Sequence, residues 1–320
     1  MTNTENYKSR ISSDYIHITY LGGGWYSNIG NAFIDLGALY LLKKACPDAI
    51  IHFISDDPQS ICDKYMGDHR HSFPLISKIQ SDYLVFSGEV LSKKFIELNA
   101  REIQQLLKSN KNCKVIIMGG GGHDYSDEEI SKVRKFYSEI ESYAFISRDS
   151  IAFKNYKGLF SYAHNGIDCA FFVSDFYSPP KLSLPEFIII NIEERPSRKI
   201  RTPASMCIYT IHGVRGLRLP LIPARLSILP TIRNLFISNN PFDYLALYGN
   251  CKATYSTRVH ACVVTLAYGN PAMLFKKNIK SRIFDKVGAS SITHELTYAD
   301  RSKMLEEKRL FLSFLKKVLK

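Results

Sequence analysis

Three hundred and twenty residues exceed one ordinary domain and fall short of three, so two compact units are expected. A chain that is 45% hydrophobic and 22% charged is neither disordered nor fibrous. The net charge of +12 is carried unevenly: residues 1–175 hold 19 basic and 21 acidic side chains, residues 176–320 hold 23 and 9. Between Glu194 and Asp243 there is no acid at all, whereas Arg195, Arg198, Arg201, Arg215, Arg218 and Arg225 are all basic. Such a one-sided surplus favours an anionic partner over a merely solvated surface. The longest charge-free run near the start, residues 15–34, is interrupted by Gly22, Gly23, Gly24, Asn28 and Gly30, unlike a bilayer-spanning segment, and no signal-peptide layout precedes it. Seven cysteines form no CxxC pair, which fits buried thiols in a reducing compartment, so a cytoplasmic location is expected.

The predicted elements alternate along the chain. Residues 15–21 are β-branched or aromatic in part and predict a strand that runs into Gly22, Gly23 and Gly24. A helix over 31–45 follows, with Ile34, Ala38, Leu41, Leu42 and Ala45 on one face. Residues 49–54 and 83–86 predict short buried strands, and a helix covers about 92–108. Residues 114–118 predict another buried strand, ending in the four glycines 119–122. Ser126 is placed to cap a helix whose first turn, Asp127, Glu128 and Glu129, suits the helix dipole. Strands over 143–147 and 167–173 are expected to finish the first sheet. Prolines 179, 180 and 185 break the pattern where the charge balance changes, which puts a linker at 178–181. Strands over 187–192, 206–211, 235–237, 253–256 and 272–275 then alternate with helical pieces, and a Lys/Leu-rich helix runs over about 302–319. This order predicts an α/β fold of two Rossmann-like domains facing a cleft, 1–177 and 178–320, each a parallel sheet covered on both faces.

Ligands of open parallel sheets bind beyond the carboxyl ends of the strands, where amides and helix N-termini point outward. One such place is the turn through Gly24, Asn28 and Asn31. It lacks GxGxxG spacing, and no Lys-Ser or Lys-Thr follows either glycine run, so neither a nicotinamide fingerprint nor a nucleotide phosphate loop is supported. The second glycine run, with Gly121 and Gly122, marks a close backbone approach to a ligand or to a neighbouring loop. His123 and Asp124 follow it, and Arg148, Asp149 and Asp168 also fall at predicted strand ends. His69 and His71 bracket Arg70 with no further ligand at metal spacing, so no metal is expected.

The sharpest signal is Ser256, Thr257, Arg258, Val259 and His260, followed by Ala267, Gly269 and Pro271. A strand stops at Ser256, a helix opens at Thr257 or Arg258, and Gly269 ends it. Arg258 and His260 then sit in a first helical turn, where free amides and the dipole add to a guanidinium in binding an anion.

In this pattern the sequence resembles the polysaccharide pyruvyl transferase family, whose C-terminal signature is an Arg-x-His opening a helix, then Ala, then Gly-x-Pro. The turn Asn28-Ile29-Gly30-Asn31, the glycines 119–122, Arg148-Asp149-Ser150, and Asp168 ahead of Ala170 and Phe171 agree in order and spacing over about 20–280. The family often has Gly-Asp where this chain has Gly30-Asn31, and Trp25 and Tyr26 beside it point to a subgroup with its own acceptor.

The resemblance implies the two-domain architecture of GT-B glycosyltransferases with a C-terminal helix that crosses over. It also implies transfer of a pyruvyl group from phosphoenolpyruvate to a hydroxyl or vicinal diol of a cell-surface polysaccharide or its lipid-linked precursor, giving a pyruvate ketal. Phosphoenolpyruvate is then a donor substrate and no cofactor is expected. His260 supplies the titratable group, while Arg258, Thr257 and Arg195 hold the donor. Arg148 either joins them or pairs structurally with Asp149 or Asp168. His123 and Asp124 are candidates to orient or deprotonate the acceptor, with Gly24, Asn28, Asn31, Gly121 and Gly122 in the cleft loops. The stretch holding Arg215, Arg218 and Arg225 reads either as a core-covering loop or as a peripheral contact with an anionic membrane. Two other readings stay open: a nucleotide-sugar glycosyltransferase of the same shape, and a non-catalytic basic protein that binds anionic polymers. No nucleic-acid module is present, so nucleic acid is not an expected partner.

Overall fold

The computed structural model describes residues 15–25, 27–55, 75–193, 206–213, 234–276 and 278–320. Tyr26, His69, His71, Arg195, Arg215, Arg218 and Arg225 lie outside the described residues, and with them the expectations placed on those side chains.

The first sheet holds six parallel strands: β1 (His17–Leu21), β2 (Ile50–Ile54), β3 (Tyr83–Gly88), β4 (Lys114–Gly120), β5 (Ser142–Ser147) and β6 (Tyr162–Asn165). Their order is β2-β1-β3-β4-β5-β6. Helices α1 (Ile29–Ala45), α2 (Lys93–Ser109), α3 (Asp127–Ser138) and α4 (Ser150–Tyr156) connect them. Each starts where a short polar side chain takes up a first-turn amide: Asn28, Ser92, Ser126 and Asp149 respectively. After the short helix α5 (Val173–Phe176) and the proline-rich connection, the second sheet begins. Its strands are β7 (Phe187–Asn191), β8 (Met206–Thr210), β9 (Leu235–Phe236), β10 (Ala253–Ser256) and β11 (Ala272–Leu274), ordered β11-β10-β7-β8-β9 and again all parallel. Helices α6 (Pro241–Asn250) and α7 (Val259–Ala267) cover it.

The last helix, α8 (Arg301–Val318), is capped by Asp300 and crosses back to the first sheet. Phe311 packs edge-on against Phe172 with ring centres 5.2 Å apart, Phe314 stacks on His164 at 5.4 Å, and the Tyr83 hydroxyl donates to the Lys320 carbonyl at 3.0 Å. The final helix therefore closes the core of the opposite half, and one contiguous apolar cluster runs from α1 through α7 to α8.

Two sequence expectations need correction. Residues 167–173 are no strand: they form a 3-10 turn over Cys169–Phe172 that leads into α5. The Asp168 carboxylate accepts the Ala170 amide at 2.9 Å and starts that turn. Apart from Asp168 the run is apolar because it is a plug wedged between α1 and α7, a burial that gives no period by which strand and helix could be told apart. The sheet is closed by β6, whose residues His164 and Asn165 carry no strand signal. Residues 50–54 do form a strand, but an edge strand with Ile50 and Phe53 facing outward, not a buried one.

Candidate active site

The carboxyl ends of the two sheets face each other. The Ile29 amide, at the start of α1, donates to the His212 carbonyl beyond β8 at 2.8 Å, and Lys280 reaches across to Glu89 beyond β3 at 2.5 Å. Between these ties lies a cavity of about 170 Å³. Asn28, Asn31, Arg148, Thr257, Arg258 and His260 line it, which brings together six residues singled out from the sequence.

Asp168 lies behind this lining, against Arg148 and His260. The side chain is 0% exposed, and its Oδ2 stands 3.6 Å from both Arg148 Nη1 and His260 Nε2. These are ion-pair distances, too long for hydrogen bonds. Burial alone would push the Asp168 carboxyl up, but His260, Arg148 and the Ala170 amide together hold it below the ordinary carboxylate range. Arg148 is itself only 6% exposed and donates to the Gly122 carbonyl at 3.3 Å. Gly121 is glycine because a Cβ there would overlap the Arg148 side chain. The second glycine run thus makes room for a neighbouring protein group. Asp149 is spent elsewhere: it caps α4 and accepts the Tyr125 hydroxyl at 2.7 Å.

On the facing wall, Ser256 Oγ accepts the Arg258 amide at 2.8 Å and turns the chain into α7, which begins with no side-chain cap. A first turn without such a cap is the kind of helix start that can receive an anion. His260 packs on the N-terminus of α1, where a Cβ on Gly30 would come within 3.2 Å of the His260 Cβ. Asn28 donates to Asn31 at 3.1 Å, fixing both amides at the cavity edge. Arg258 arrives partly engaged: its Nη2 pairs with Glu193, while its Nε is buried without a partner among the described residues. Glu193 is held in turn by the His212 amide, and its own amide donates to Thr257 Oγ1 at 3.2 Å. His212 is buried and titrates well below the ordinary imidazole range, first through burial and then through repulsion by Arg258 and His260, so it is neutral. Its Nε2 meets the Tyr248 hydroxyl at 2.6 Å, and its Nδ1 has no partner among the described residues.

His123 and Asp124 are not in the lining. His123 stands at the mouth, 59% exposed, with Nδ1 2.7 Å from Glu89 and 3.2 Å from Lys280. Asp124 accepts the Ser126 amide at 2.9 Å and is committed to its own turn. Glu89, Glu193, His212 and Lys280 were not singled out from the sequence. Each is an isolated residue, and only His212, directly after a predicted strand, had a positional signal.

A second buried carboxylate, Asp35 on α1, sits behind the first glycine turn. It accepts from the Tyr20 hydroxyl at 2.7 Å, the Gly23 amide at 2.7 Å and Trp25 Nε1 at 2.6 Å. Burial raises its carboxyl to about 6 despite these three donors. The other titratable groups against it are the Tyr20 hydroxyl and the Cys169 thiol, both held neutral by burial. Because the folded state binds this proton more tightly than the unfolded chain, the stabilisation is full below the ordinary carboxylate range and is lost as pH rises through about 6. The loss is roughly 3 kcal/mol. Asp168, with its lowered value, acts in the opposite sense and loses its contribution as pH falls. Thermal midpoints of the wild type and Asp35→Asn between pH 4 and 7 check the first effect: the variant should gain on the wild type across that range.

Among the described residues no group of three or more His, Cys, Asp or Glu side chains could hold a metal ion, and no helix is long and apolar enough to cross a membrane.

The model of the polysaccharide pyruvyl transferase family matches residues 28–276. Among curated proteins the chain finds no match. Solved structures of similar shape include the UDP-bound MnaA of S. aureus, at TM-score 0.55 and 9% identity over 95% of this chain and 91% of that one. The UDP-GlcNAc 2-epimerase of Methanocaldococcus jannaschii with UDP-GlcNAc and UDP gives 0.52 and 13% over 93% of both chains. That of Neisseria meningitidis bound to UDP-GlcNAc gives 0.51 and 11% over 95% and 94%. At these identities the likeness is one of fold: two Rossmann-like halves in the GT-B-like arrangement.

Proposed function

Because this chain belongs to the polysaccharide pyruvyl transferase family, and so is a transferase with a pyruvyl donor and a polysaccharide acceptor, we propose that its donor is phosphoenolpyruvate and that transfer takes place in the cavity between the two sheets. The observation that carries this reading is the convergence there of a buried carboxylate–histidine pair, Asp168 and His260, with guanidinium groups from both halves, Arg148 and Arg258.

The chemistry needs an acid, a base and cations for a carboxylate and a phosphate. A proton delivered to the methylene carbon of the enol turns it into a methyl group and leaves positive character on the adjacent carbon. A sugar hydroxyl attacks that carbon and gives up its proton. The bond from the same carbon to the phosphate oxygen then breaks, phosphate leaves, and a second hydroxyl closes the ketal with loss of its own proton. His260 is the imidazole in the first turn of α7 that lines the cavity. Its Nε2 faces Asp168, so Nδ1 is the nitrogen on the α1 side that exchanges protons with substrate. Asp168 supplies the countercharge for the imidazolium and fixes the ring. Arg258, the uncapped start of α7 and Lys280 hold the two anionic ends of the donor. Asn28 and Asn31, at the start of α1, meet the acceptor.

Calorimetric titration with phosphoenolpyruvate and with UDP-GlcNAc tests the donor. Phosphoenolpyruvate should bind, and Arg258→Lys should weaken it about tenfold or more, because an ammonium cannot satisfy Glu193 and a donor anion together in the planar way a guanidinium does. Binding of UDP-GlcNAc in its place would overturn the assignment.

A further inference from the structure

The molecule contains one tryptophan, and it is held in an unusual way. Trp25 lies in the turn between β1 and α1, three residues before Asn28 at the cavity edge. Its indole nitrogen donates to a carboxylate that is 4% exposed, and the same oxygen accepts the Gly23 amide. The Tyr20 hydroxyl takes the other oxygen and also touches Ser87. An indole N–H shielded from water needs an acceptor, and here that acceptor is a desolvated carboxylate, which is costly to place. The indole is only partly buried. Beside it, at 5.6 Å between ring centres, is Phe53 on the edge strand β2, 37% exposed and stacked on Tyr20 at 5.8 Å. Turn and edge strand together place two neighbouring aromatic rings at the carboxyl ends of β1 and β2, the end of the sheet where Asn28 and Asn31 line the cavity, and one ring is held by a hydrogen bond.

We propose that Trp25, with Phe53 beside it, is the stacking platform for a sugar ring of the acceptor, and that Asp35 is the positioning residue that sets the indole. The proposal deepens the pyruvyl-transfer reading and rests on it for the identity of the acceptor as a glycan. The electron-poor C–H bonds on one face of a pyranose match the negative face of an aromatic ring, and the hydroxyl edge of the sugar is left for Asn28 and Asn31. Phosphoenolpyruvate has no such apolar face. A nucleobase could also stack on such a ring, so UDP is the competing arm of the test.

With a single tryptophan, intrinsic fluorescence reports on this ring alone. The protein, with phosphoenolpyruvate present, is titrated with the methyl glycosides of galactose, glucose, mannose and N-acetylglucosamine, and with UDP. A saturable change in emission is expected with at least one glycoside and none with UDP. Phe53→Ala, at a half-exposed edge position that leaves the fold intact, should weaken that glycoside about tenfold, and Asp35→Asn should do the same while shifting the emission of the free protein. In both variants phosphoenolpyruvate affinity, read by calorimetry, should be unchanged. No saturable change with any glycoside in protein that binds phosphoenolpyruvate overturns the platform, as does a response to UDP alone or an unaltered glycoside affinity in Phe53→Ala. Glycoside binding in protein that does not bind phosphoenolpyruvate leaves the platform standing and overturns the donor assignment instead.

Discussion

Replacing His260 by alanine is expected to lower pyruvyl transfer by a factor of about 10² to 10⁴ while phosphoenolpyruvate still binds. The size follows from what is removed: the titratable group in the first turn of α7, facing the cavity and backed by Asp168. The fold should survive. Alanine is the better helix former, the gap it leaves opens onto the cavity, and Asp168 keeps Arg148 and the Ala170 amide as partners. Added imidazole should restore part of the turnover in the variant, since the space and the carboxylate that orients the ring both remain. Near wild-type transfer by His260→Ala would remove this residue from the mechanism.

The second large effect is on Asp168. Truncation to alanine takes from buried Arg148 its ion-pair partner and leaves it the Gly122 carbonyl and the influence of Glu89 and Asp149, and removing one partner of a buried pair costs about 3–5 kcal/mol. Asp168→Ala should therefore unfold at distinctly lower temperature or denaturant concentration. Asp168→Asn keeps the shape and the oxygen that caps the 3-10 turn but removes the charge. If Asp168 acts through His260, this variant lowers kcat and leaves the KM for phosphoenolpyruvate unchanged. A purely structural role would leave the kcat of the folded fraction at its wild-type value.

The parts of this arrangement that were legible in the sequence are those with local causes. The turn from β1 into α1, the serine caps of α2 and α3 and the opening of α7 at Arg258 each follow from a short polar side chain or a strand end that the sequence displays. The candidates Asn28, Asn31, Thr257, Arg258, His260 and Arg148 were placed by the same logic, and all reach one cavity. What stayed hidden depends on contacts far apart in the chain. The plug around Asp168 reads like a strand because every side is buried. The β6 strand is only four residues long, two of them polar. Glu193 and His212 matter because one carboxylate holds the start of α7 and the loop after β8 together, and Glu89 matters because Lys280 crosses to it from 191 residues away. None of these has a spacing from which it could be read. The GT-B-like arrangement likewise depends on α8 packing against the first half, where Phe311 and Phe172 meet.

The most direct measurement is proton and phosphorus NMR of the mixture after reaction with phosphoenolpyruvate and the glycan acceptor in deuterated water. If a solvent-exchanged acid at the cavity protonates the enol carbon, the ketal methyl group carries one deuterium, inorganic phosphate is released in equal amount, and both signals vanish together in His260→Ala. A product that keeps the carbon–carbon double bond of the donor, or a ketal methyl group with no deuterium, would contradict protonation by His260 as the step that starts transfer.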